Sequence, residues 1–567
     1  MLPPKSDSGS MTSIKFFSLN ERWWLSIAVI CMTIIVLSAM RWIHDHPYGA
    51  YWDEALYLDQ AVDNIRILHS GNLRHIGGLI LIGDPMRPPA YRLLVLPFLA
   101  AFGNRIAVAR FLTLAFATFS AFLIYQSGRR IAGPGAGVIA MLIFYLSTEV
   151  VSDSICFTTE GPLFMATAAT LYFLFAIWSD EARYKRNWLG LGCAVGLGLL
   201  SKQTFALIIF PVLGFAVCDA YWRFGLRGVS PFLKGGLVAL VIAAPWWILN
   251  VRSALGYAIF ASVQPRQSLG DFSLVTLAKW LASVFLGLLG PGVSMVIGIV
   301  LVAAVWQGKA LVSIEGVLNS IQKKAVIACA CGVIPLTAAQ LASINHNLRY
   351  LSPTVIFIAI IVGVLSEITG LARSRVFLVA SGALLFTQVG MLVAPVLFPN
   401  QRAIDPGLVN GELPWAVMAR FEQWDWKPVR DISVACGVES PKISYLGDGR
   451  AFCPPQIVYP WLASGIAAPE VNWLWRYEQG PLNWQKIMNS VSDSDIVLTA
   501  PNYVGQVTDK QDLDNQHNAQ FAERLVRDPR FNLPIRLHMG RFEPIEVLLF
   551  LKKPLRRDEG RHASTNL

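Results

Sequence analysis

Long apolar runs alternate with short polar stretches over residues 20–400 of the chain. A helix needs roughly 20 residues to cross the hydrocarbon core of a membrane. Runs of suitable length and polarity lie at 23–43, 104–126, 134–150, 159–178, 188–201, 203–221, 235–251, 274–305, 325–344, 351–369 and 376–398. The pattern predicts an α-helical polytopic membrane protein with about eleven transmembrane helices.

Lys and Arg residues in the short loops orient these helices, because such loops carry more positive charge on the cytoplasmic side. With a cytoplasmic N-terminus, one set of alternating loops holds Lys5, Lys15, Arg22, Arg129, Arg130, Arg183, Lys185, Arg186, Arg223, Arg227, Lys234, Lys309, Lys323, Lys324, Arg373 and Arg375. This pattern favours a single unsplit span at 274–305, although Gly290 and Pro291 could divide it. The loop after the first run, and the chain beyond Val393, then face outward.

The first outward loop carries its own helical pattern. Apolar residues recur at helical spacing from Leu58 to Leu68, and Gly71 can end the helix. A second stretch, "RPPAYRLLVLPFLAAFG" from Arg87, is too short and too rich in Pro for a confident span. Both are expected to lie along the membrane interface.

The chain after residue 400 changes in composition, with charged residues, Pro, Asp and Asn returning. The segments "DISVACGV", "KISYLGDG", "SDIVLTAP" and "IEVLLFLKK" are typical of short strands. We therefore expect two domains, a transmembrane domain at 1–400 and an extracytoplasmic α/β domain at 401–567. Its many Trp residues either form the domain core or a membrane surface, or stack on sugars.

Composition supports the membrane class, since 54% of residues are hydrophobic and only 15% are charged. The net charge is +10. Part of it lies in the first outward loop, against the usual bias, at Arg66, Arg74, Arg87 and Arg92. Either a loop of this length crosses the membrane whatever its charge, or the loop holds an anionic ligand. No P-loop, dinucleotide motif or nucleic-acid motif is present.

Two adjacent acids, Asp53 and Glu54, follow the first apolar run. Asp53 fits a helix N-cap and Glu54 a first-turn acid, but both also fit a catalytic role. Glu160 at the start of another run has the same two interpretations. Lys202 and the pair His346 and Arg349 are either ordinary juxtamembrane residues or ligands for an anion at the outer face. These alternatives stay open on local pattern alone.

The motifs occur in a characteristic order. The Asp-Glu pair is followed by "RPPAY", "TTEGPLF", "GLGLLSKQ" and "NLRYLSP". Over roughly 20–400, this order resembles the GT-C superfamily of polytopic glycosyltransferases, particularly bacterial relatives of protein O-mannosyltransferases and of the lipid A aminoarabinose transferases. Two positions depart from the pattern, since Arg87 stands where the lipid A transferases have Lys, and Gln203 follows Lys202.

The resemblance implies an inverting transfer of one sugar from a polyprenyl-phosphate donor to a lipid, glycan or protein acceptor at the outer face of a bacterial inner membrane. It also implies that Asp53 acts as general base. We expect no nucleic-acid partner. The rival functions are a flippase for lipid-linked glycans and a non-catalytic membrane scaffold.

The chemistry of such a transfer gives the remaining candidates their roles. A carboxylate takes the proton of the acceptor hydroxyl as it attacks, so the candidate catalytic acids are Asp53, Glu54 and Glu160. The departing phosphate needs fixed positive charge, which Arg87, Lys202, Arg349 and His346 can supply. With several cations at the phosphate, no metal or other cofactor is expected.

Cysteine usage adds one expectation for the C-terminal domain. Cys436 and Cys453 lie there, where an oxidising compartment would allow a disulfide. No cysteine spacing resembles a zinc site.

Overall fold

Apolar helices occupy most of the chain up to Leu397, and a small mixed sheet with its helices follows. This computed structural model describes residues 19–47, 52–179, 184–263, 273–307, 320–398, 424–447, 449, 451–475, 481–503, 515–540 and 545–553. The predicted domain boundary at 400–401 lies outside these ranges, as do Lys5, Lys15, Arg183 and Lys309.

Fifteen helices are described before the sheet region. They are α1 Leu19–Asp45, α2 Trp52–His69, α3 Leu73–Ile82, α4 Ala90–Phe102, α5 Ile106–Ile131, α6 Pro134–Leu146, α7 Thr148–Ile155, α8 Glu160–Ser179, α9 Tyr184–Leu199, α10 Thr204–Ser262, α11 Leu274–Ala282, α12 Pro291–Trp306, α13 Ser320–Ala342, α14 Thr354–Ile368 and α15 Arg375–Leu397. Every predicted apolar run lies on one or more of them.

Six of the described helices are long and apolar enough to cross a membrane, or eight spans if each of two bent helix pairs counts as one. The chain is therefore a multi-pass membrane protein. The shorter helix α14 and the α9 segment Asn187–Leu199 are also apolar. Two predicted runs, 203–221 and 235–251, lie on α10, which consists of two helices joined across a kink at Gly225, where φ is 59°. The exact number of crossings stays a prediction.

Two predicted runs are broken. The run 134–150 bends by 64° between α6 and α7. The run 274–305 continues from α11 through a π-helical segment, Ser283–Leu289, and then turns by 108° at Gly290. The run expected as one unsplit span is therefore broken at Gly290, and the number of times it crosses the membrane stays a prediction. Gly290 adopts a φ of +86°, which residues with a Cβ rarely adopt, and Pro291 starts the next helix.

The first loop forms three helices. The predicted helix is confirmed as α2, and Gly71 follows it with a φ of 65°. The "RPPAY" stretch leads into α4. Sequence reasoning missed α3, although Asn72 caps it by accepting hydrogen bonds from the backbone nitrogens of Arg74 and His75.

The C-terminal region forms the expected α/β fold. Its helices are α16 Lys427–Ala435, α17 Pro454–Ala463, α18 Trp484–Val491 and α19 Asn518–Val526, and its strands are β1 Lys442–Tyr445, β2 Glu470–Trp473, β3 Ile496–Thr499, β4 Ile535–Met539 and β5 Ile545–Leu551. The strand order is β2-β1-β3-β5-β4, with β2, β1 and β3 parallel and β5 antiparallel to both of its neighbours.

Three of the four predicted strands are confirmed as β1, β3 and β5. The fourth, "DISVACGV", is wrong, because this segment lies mainly on helix α16. Pro428 in the first turn and Gly437 after the end, with a φ of 76°, are the helix signals that outweigh the alternation of Ile432 and Val434. Strands β2 and β4 were not predicted.

The C-terminal domain packs on the first loop. Helix α17 contacts α2, and Tyr459 and Leu462 join the apolar cluster that α2 and α4 form. Arg66 donates a hydrogen bond to the carbonyl oxygen of Ile466. This contact ties the end of α2 to the domain.

The tryptophans of this domain are mostly core residues. Trp424, Trp426, Trp461 and Trp475 are buried, whereas Trp415 lies outside the described residues. Cys436 is half-buried and Cys453 is buried, and the disulfide between them stays a prediction.

Candidate active site

Arg349 brings together two of the predicted acids. Its Nη1 lies 3.0 Å from Asp53 Oδ2, and its Nη2 lies 2.8 Å from Glu160 Oε2. Asp53 is in the first turn of α2, and Glu160 is the first residue of α8. Arg349 lies in a 3-10 turn, Leu348–Tyr350, where the Asn347 side chain accepts a hydrogen bond from its backbone nitrogen. Three segments far apart in sequence thus meet at one guanidinium.

Lys202 completes the cluster. It lies between α9 and α10 and forms an ion pair with Glu160. Its Nζ also lies 4.9 Å from the centre of the Tyr350 ring. Glu160 is fully buried and contacts two cations, whereas the Asp53 side chain is 34% exposed. Of these two acids, Asp53 is therefore the one that is open to solvent, and Glu160 pairs with both cations.

Arg87 faces this cluster from the loop before α4. Its Nη2 donates a 3.0 Å hydrogen bond to the Tyr257 hydroxyl, and its guanidinium lies 4.6 Å and 5.7 Å from the ring centres of Tyr257 and Tyr57. The Arg87 side chain is only 15% exposed. Its Nε has no hydrogen-bond partner within the described part of the chain. Arg87 thus keeps a donor that its neighbours leave unused.

Electrostatics link Arg87 to Asp53. Burial raises the pKa of Tyr57, with Asp53 as the next cause and Arg87 and Arg349 opposing. Burial lowers the pKa of Arg87, but its tyrosine and carboxylate neighbours outweigh burial and raise it overall. Burial also raises the pKa of Tyr350 to about 12. The tyrosines therefore stay protonated, and the guanidinium stays charged, at neutral pH.

Asp84 holds Arg87 in position and was not predicted. Its Oδ1 accepts hydrogen bonds from the backbone nitrogens of Met86 and Arg87, at 2.9 and 3.1 Å. Its Oδ2 lies 3.4 Å from Arg87 Nη1 and accepts a 3.1 Å hydrogen bond from Gln60. An Asp that bonds to backbone nitrogens two and three residues later is a common turn pattern. The sequence "GDPMR" carried that signal.

Glu54 lies apart from the cluster, despite its place beside Asp53. Both of its oxygens accept 2.8 Å hydrogen bonds from Arg110, through Nε and Nη2. Oε1 also accepts a 2.8 Å hydrogen bond from the backbone nitrogen of Phe157. Glu54 and Arg110 are fully buried. The geometry favours the structural interpretation of Glu54, because both of its oxygens already accept hydrogen bonds in a closed pair.

His346 lies three residues before Arg349 and is half-buried. Burial lowers its pKa, so the ring is less readily charged than an ordinary histidine. Its proposed contact with phosphate stays a prediction.

Two further buried acids lie on α7: Glu149 falls within the predicted apolar run 134–150, and Asp153 lies just after that run. Asp153 Oδ2 lies 2.7 Å from Ser352 Oγ. Glu149 is 5% exposed, and its Oε2 has no hydrogen-bond partner among the described residues. The polar residues in "TEVVSDS" were the sequence signal that could have pointed to both acids. Within the described ranges, no group of three or more His, Cys, Asp or Glu side chains has a metal-binding arrangement.

The chain is similar to proteins of known structure. A family model described as dolichyl-phosphate-mannose-protein mannosyltransferase matches residues 86–249, which include Arg87, Glu160 and Lys202. ArnT from Cupriavidus metallidurans, solved with undecaprenyl phosphate, has a TM-score of 0.54 and 12% identity, covering 93% of this chain and 98% of its own.

The archaeal oligosaccharyltransferase AglB from Archaeoglobus fulgidus, solved with an inhibitory peptide and a dolichol-phosphate, has a TM-score of 0.53 and 12% identity, covering 90% of this chain and 71% of its own. No curated protein sequence matches the chain. The structural likenesses extend over both the helical part and the C-terminal domain.

Proposed function

We propose that this chain, a multi-pass membrane protein of the GT-C superfamily, transfers a sugar from a polyprenyl-phosphate donor to an acceptor at the outer face of a bacterial inner membrane. The carrying observation is the cluster in which Arg349 joins Asp53 to Glu160, with Lys202 on the same glutamate. The acceptor is a lipid, a glycan or a protein.

Asp53 is the general base in this proposal. It takes the proton of the acceptor hydroxyl while that oxygen attacks the anomeric carbon from the face opposite the phosphate, so the configuration inverts. Its partial exposure supports this role, and so does its contact with only one arm of Arg349. Glu160, which is held by two cations, orients Arg349 and Lys202 rather than accepting a proton.

The phosphate leaves with its bonding electron pair, and its growing charge meets Arg87, Lys202 and Arg349. Fixed cations in a site with little water stabilise such charge more strongly than water does. The guanidinium groups also offer paired donors that match phosphate oxygens. The reaction in this form needs no cofactor.

Substitution of Asp53 tests the function. Asp53→Asn should lower turnover by about a hundredfold or more, the usual scale for a lost general base, with donor affinity nearly unchanged. The assay uses purified protein and a panel of polyprenyl-phosphate sugars, chosen by comparing envelope glycolipids and glycans by mass spectrometry with and without the gene.

Asp63→Asn is the matched control, since Asp63 lies on the same helix and its side chain is 56% exposed. It should keep wild-type turnover. Transfer at the wild-type rate by Asp53→Asn would remove Asp53 from the mechanism. If the wild-type protein moves a lipid-linked glycan across the membrane of vesicles but transfers no sugar, the flippase function is favoured instead.

Fusions test the orientation separately. A reporter that is active only outside the cytoplasm should be active when fused after Pro399 and inactive when fused after Arg375. The opposite result would place the C-terminal domain in the cytoplasm.

A further inference from the structure

The turn that carries Arg349 rests on two broken helices. Helix α7 and the π-helical segment Ser283–Leu289 both contact the turn Leu348–Tyr350, and they contact each other. Helix α7 follows the sharp bend at Ser147, and the π-helical segment precedes the sharp bend at Gly290. The position of Arg349 therefore depends on how these two bends are fixed.

Gln388, in the middle of α15, contacts both bends. Its Nε2 lies 3.2 Å from the Leu146 carbonyl oxygen and 3.2 Å from Thr148 Oγ1. Its Oε1 accepts a 3.0 Å hydrogen bond from the backbone nitrogen of Gly292. Gln388 is only 1% exposed. A broken helix leaves backbone groups that must find partners within the protein, and one side-chain amide supplies them at both breaks.

The packing at Gly290 leaves this amide little freedom. A Cβ at Gly290 would lie 2.0 Å from Gln388 Nε2 and 2.5 Å from Thr148 Oγ1. The bare backbone of Gly290 is therefore what allows the three segments to meet. Their relative position is fixed by direct contact rather than by a loose fit.

The other end of α7 reaches the main chain of Arg349. Asp153 Oδ2 lies 2.7 Å from Ser352 Oγ, and the same hydroxyl lies 2.9 Å from the Arg349 carbonyl oxygen. Asp153 is 3% exposed, and Ser352 is fully buried. A contact chain thus runs from Gln388 through α7 to Arg349.

We propose that Gln388, Asp153 and Ser352 are positioning residues, which act through α7 to hold Arg349 where it reaches both Asp53 and Glu160. This inference rests on the proposed function, because it assigns the three residues to the same site. None of them needs to touch the substrate. A guanidinium that shifts by about an ångström loses much of its value for binding and catalysis.

Kinetics on Ser352 variants test the final link. Ser352→Ala should lower kcat/KM for the donor about tenfold, as for a misplaced group that stabilises the departing phosphate. Ser352→Thr, which keeps the hydroxyl, should restore most of the lost kcat/KM. In an Arg349→Ala background, Ser352→Ala should have almost no further effect. An equal effect in both backgrounds would overturn the positioning role.

Hydrogen exchange tests the chain without an activity assay. In the full-length protein in detergent, Gln388→Met should speed backbone exchange at 146–150 and also at 343–353. Thr387→Val is the control, since Thr387 precedes Gln388 and is exposed, and it should change neither region. Faster exchange confined to the bends would overturn the proposal. If the wild type transfers no sugar, the proposed function fails, and the exchange result still decides this inference.

Discussion

Asp53 and Glu54 are adjacent in the first turn of one helix, yet they belong to different kinds of site. Glu54 and Arg110 form a fully buried pair with two hydrogen bonds between them. Asp53 is partly exposed and shares Arg349 with Glu160. The same charges, one residue apart, thus form a closed structural contact on one side of α2 and an open cluster on the other.

The difference lies in whether the partners are already satisfied. In the closed pair, both carboxylate oxygens of Glu54 are engaged, so neither group can exchange partners without leaving a buried charge alone. In the open cluster, one arginine serves two acids, and Lys202 shares one of them. We expect an anion to approach this cluster from the side of Asp53, which is partly exposed, while Arg349 and Lys202 stay paired with the buried Glu160.

The largest effect is expected when the closed pair of Glu54 and Arg110 is broken. Glu54→Gln keeps the shape of the side chain but removes its charge, which deprives the buried Arg110 of the Glu54 carboxylate. Loss of one partner from a buried pair costs about 3–5 kcal/mol of unfolding free energy. Thermal denaturation of the purified protein should therefore show a clearly lower midpoint.

Asp53→Asn is the comparison for this measurement. A partly exposed ion pair contributes about 0–1 kcal/mol, so the midpoint should stay near that of the wild type while turnover is lost. Equal midpoints for the two variants would mean that Glu54 and Asp53 do not differ in the way described.

A smaller effect is expected at the donor phosphate. Arg87→Ala should lower kcat/KM for the donor about thirtyfold to a hundredfold, the range for one or two charge-assisted hydrogen bonds. Arg87→Lys should recover only part, because it keeps the charge but loses the planar pair of donors. Steady-state kinetics at limiting donor measure both.

Arg74→Ala is the matched control, since Arg74 lies in the same loop with an exposed side chain. This variant should keep the wild-type kcat/KM for the donor. Wild-type kinetics for Arg87→Ala would move the phosphate site to Lys202 and Arg349.

Much of the helical part could be predicted from the sequence, because a membrane helix must be apolar along its whole length. Hydropathy therefore located α1, α5, α8 and α15 directly. Hydropathy does not locate a helix break whose backbone groups are hydrogen-bonded by residues far away in sequence. The bend at Gly290 depends on Gln388, nearly a hundred residues later. Glycine followed by proline was a local hint, but the amide that satisfies the break was not local.

The site residues show the same limit. Asp53, Arg87, Glu160, Lys202 and Arg349 were named from motif order, and the structure brings Asp53, Glu160, Lys202 and Arg349 into contact. Local pattern placed Glu54 with these residues, but the contact that separates it from them is with Arg110, 56 residues away on α5. Adjacent positions near a helix start point in different directions, so sequence neighbours do not share an environment.

The smallest expected effect concerns Asp84. This residue sharpens the comparison between the closed pair and the open cluster, because it orients Arg87 but leaves a donor of Arg87 unused. Asp84→Asn keeps an oxygen for the backbone nitrogens of Met86 and Arg87, so the turn should survive. The substitution replaces the charged oxygen beside Arg87 Nη1 by a neutral amide group. The Arg87 guanidinium is then held less firmly in its orientation. We expect kcat/KM for the donor to fall about threefold to tenfold, roughly the net value of one ordinary hydrogen bond. In an Arg87→Ala background the same substitution should have little further effect, whereas an undiminished loss would show that Asp84 acts on the site by another route.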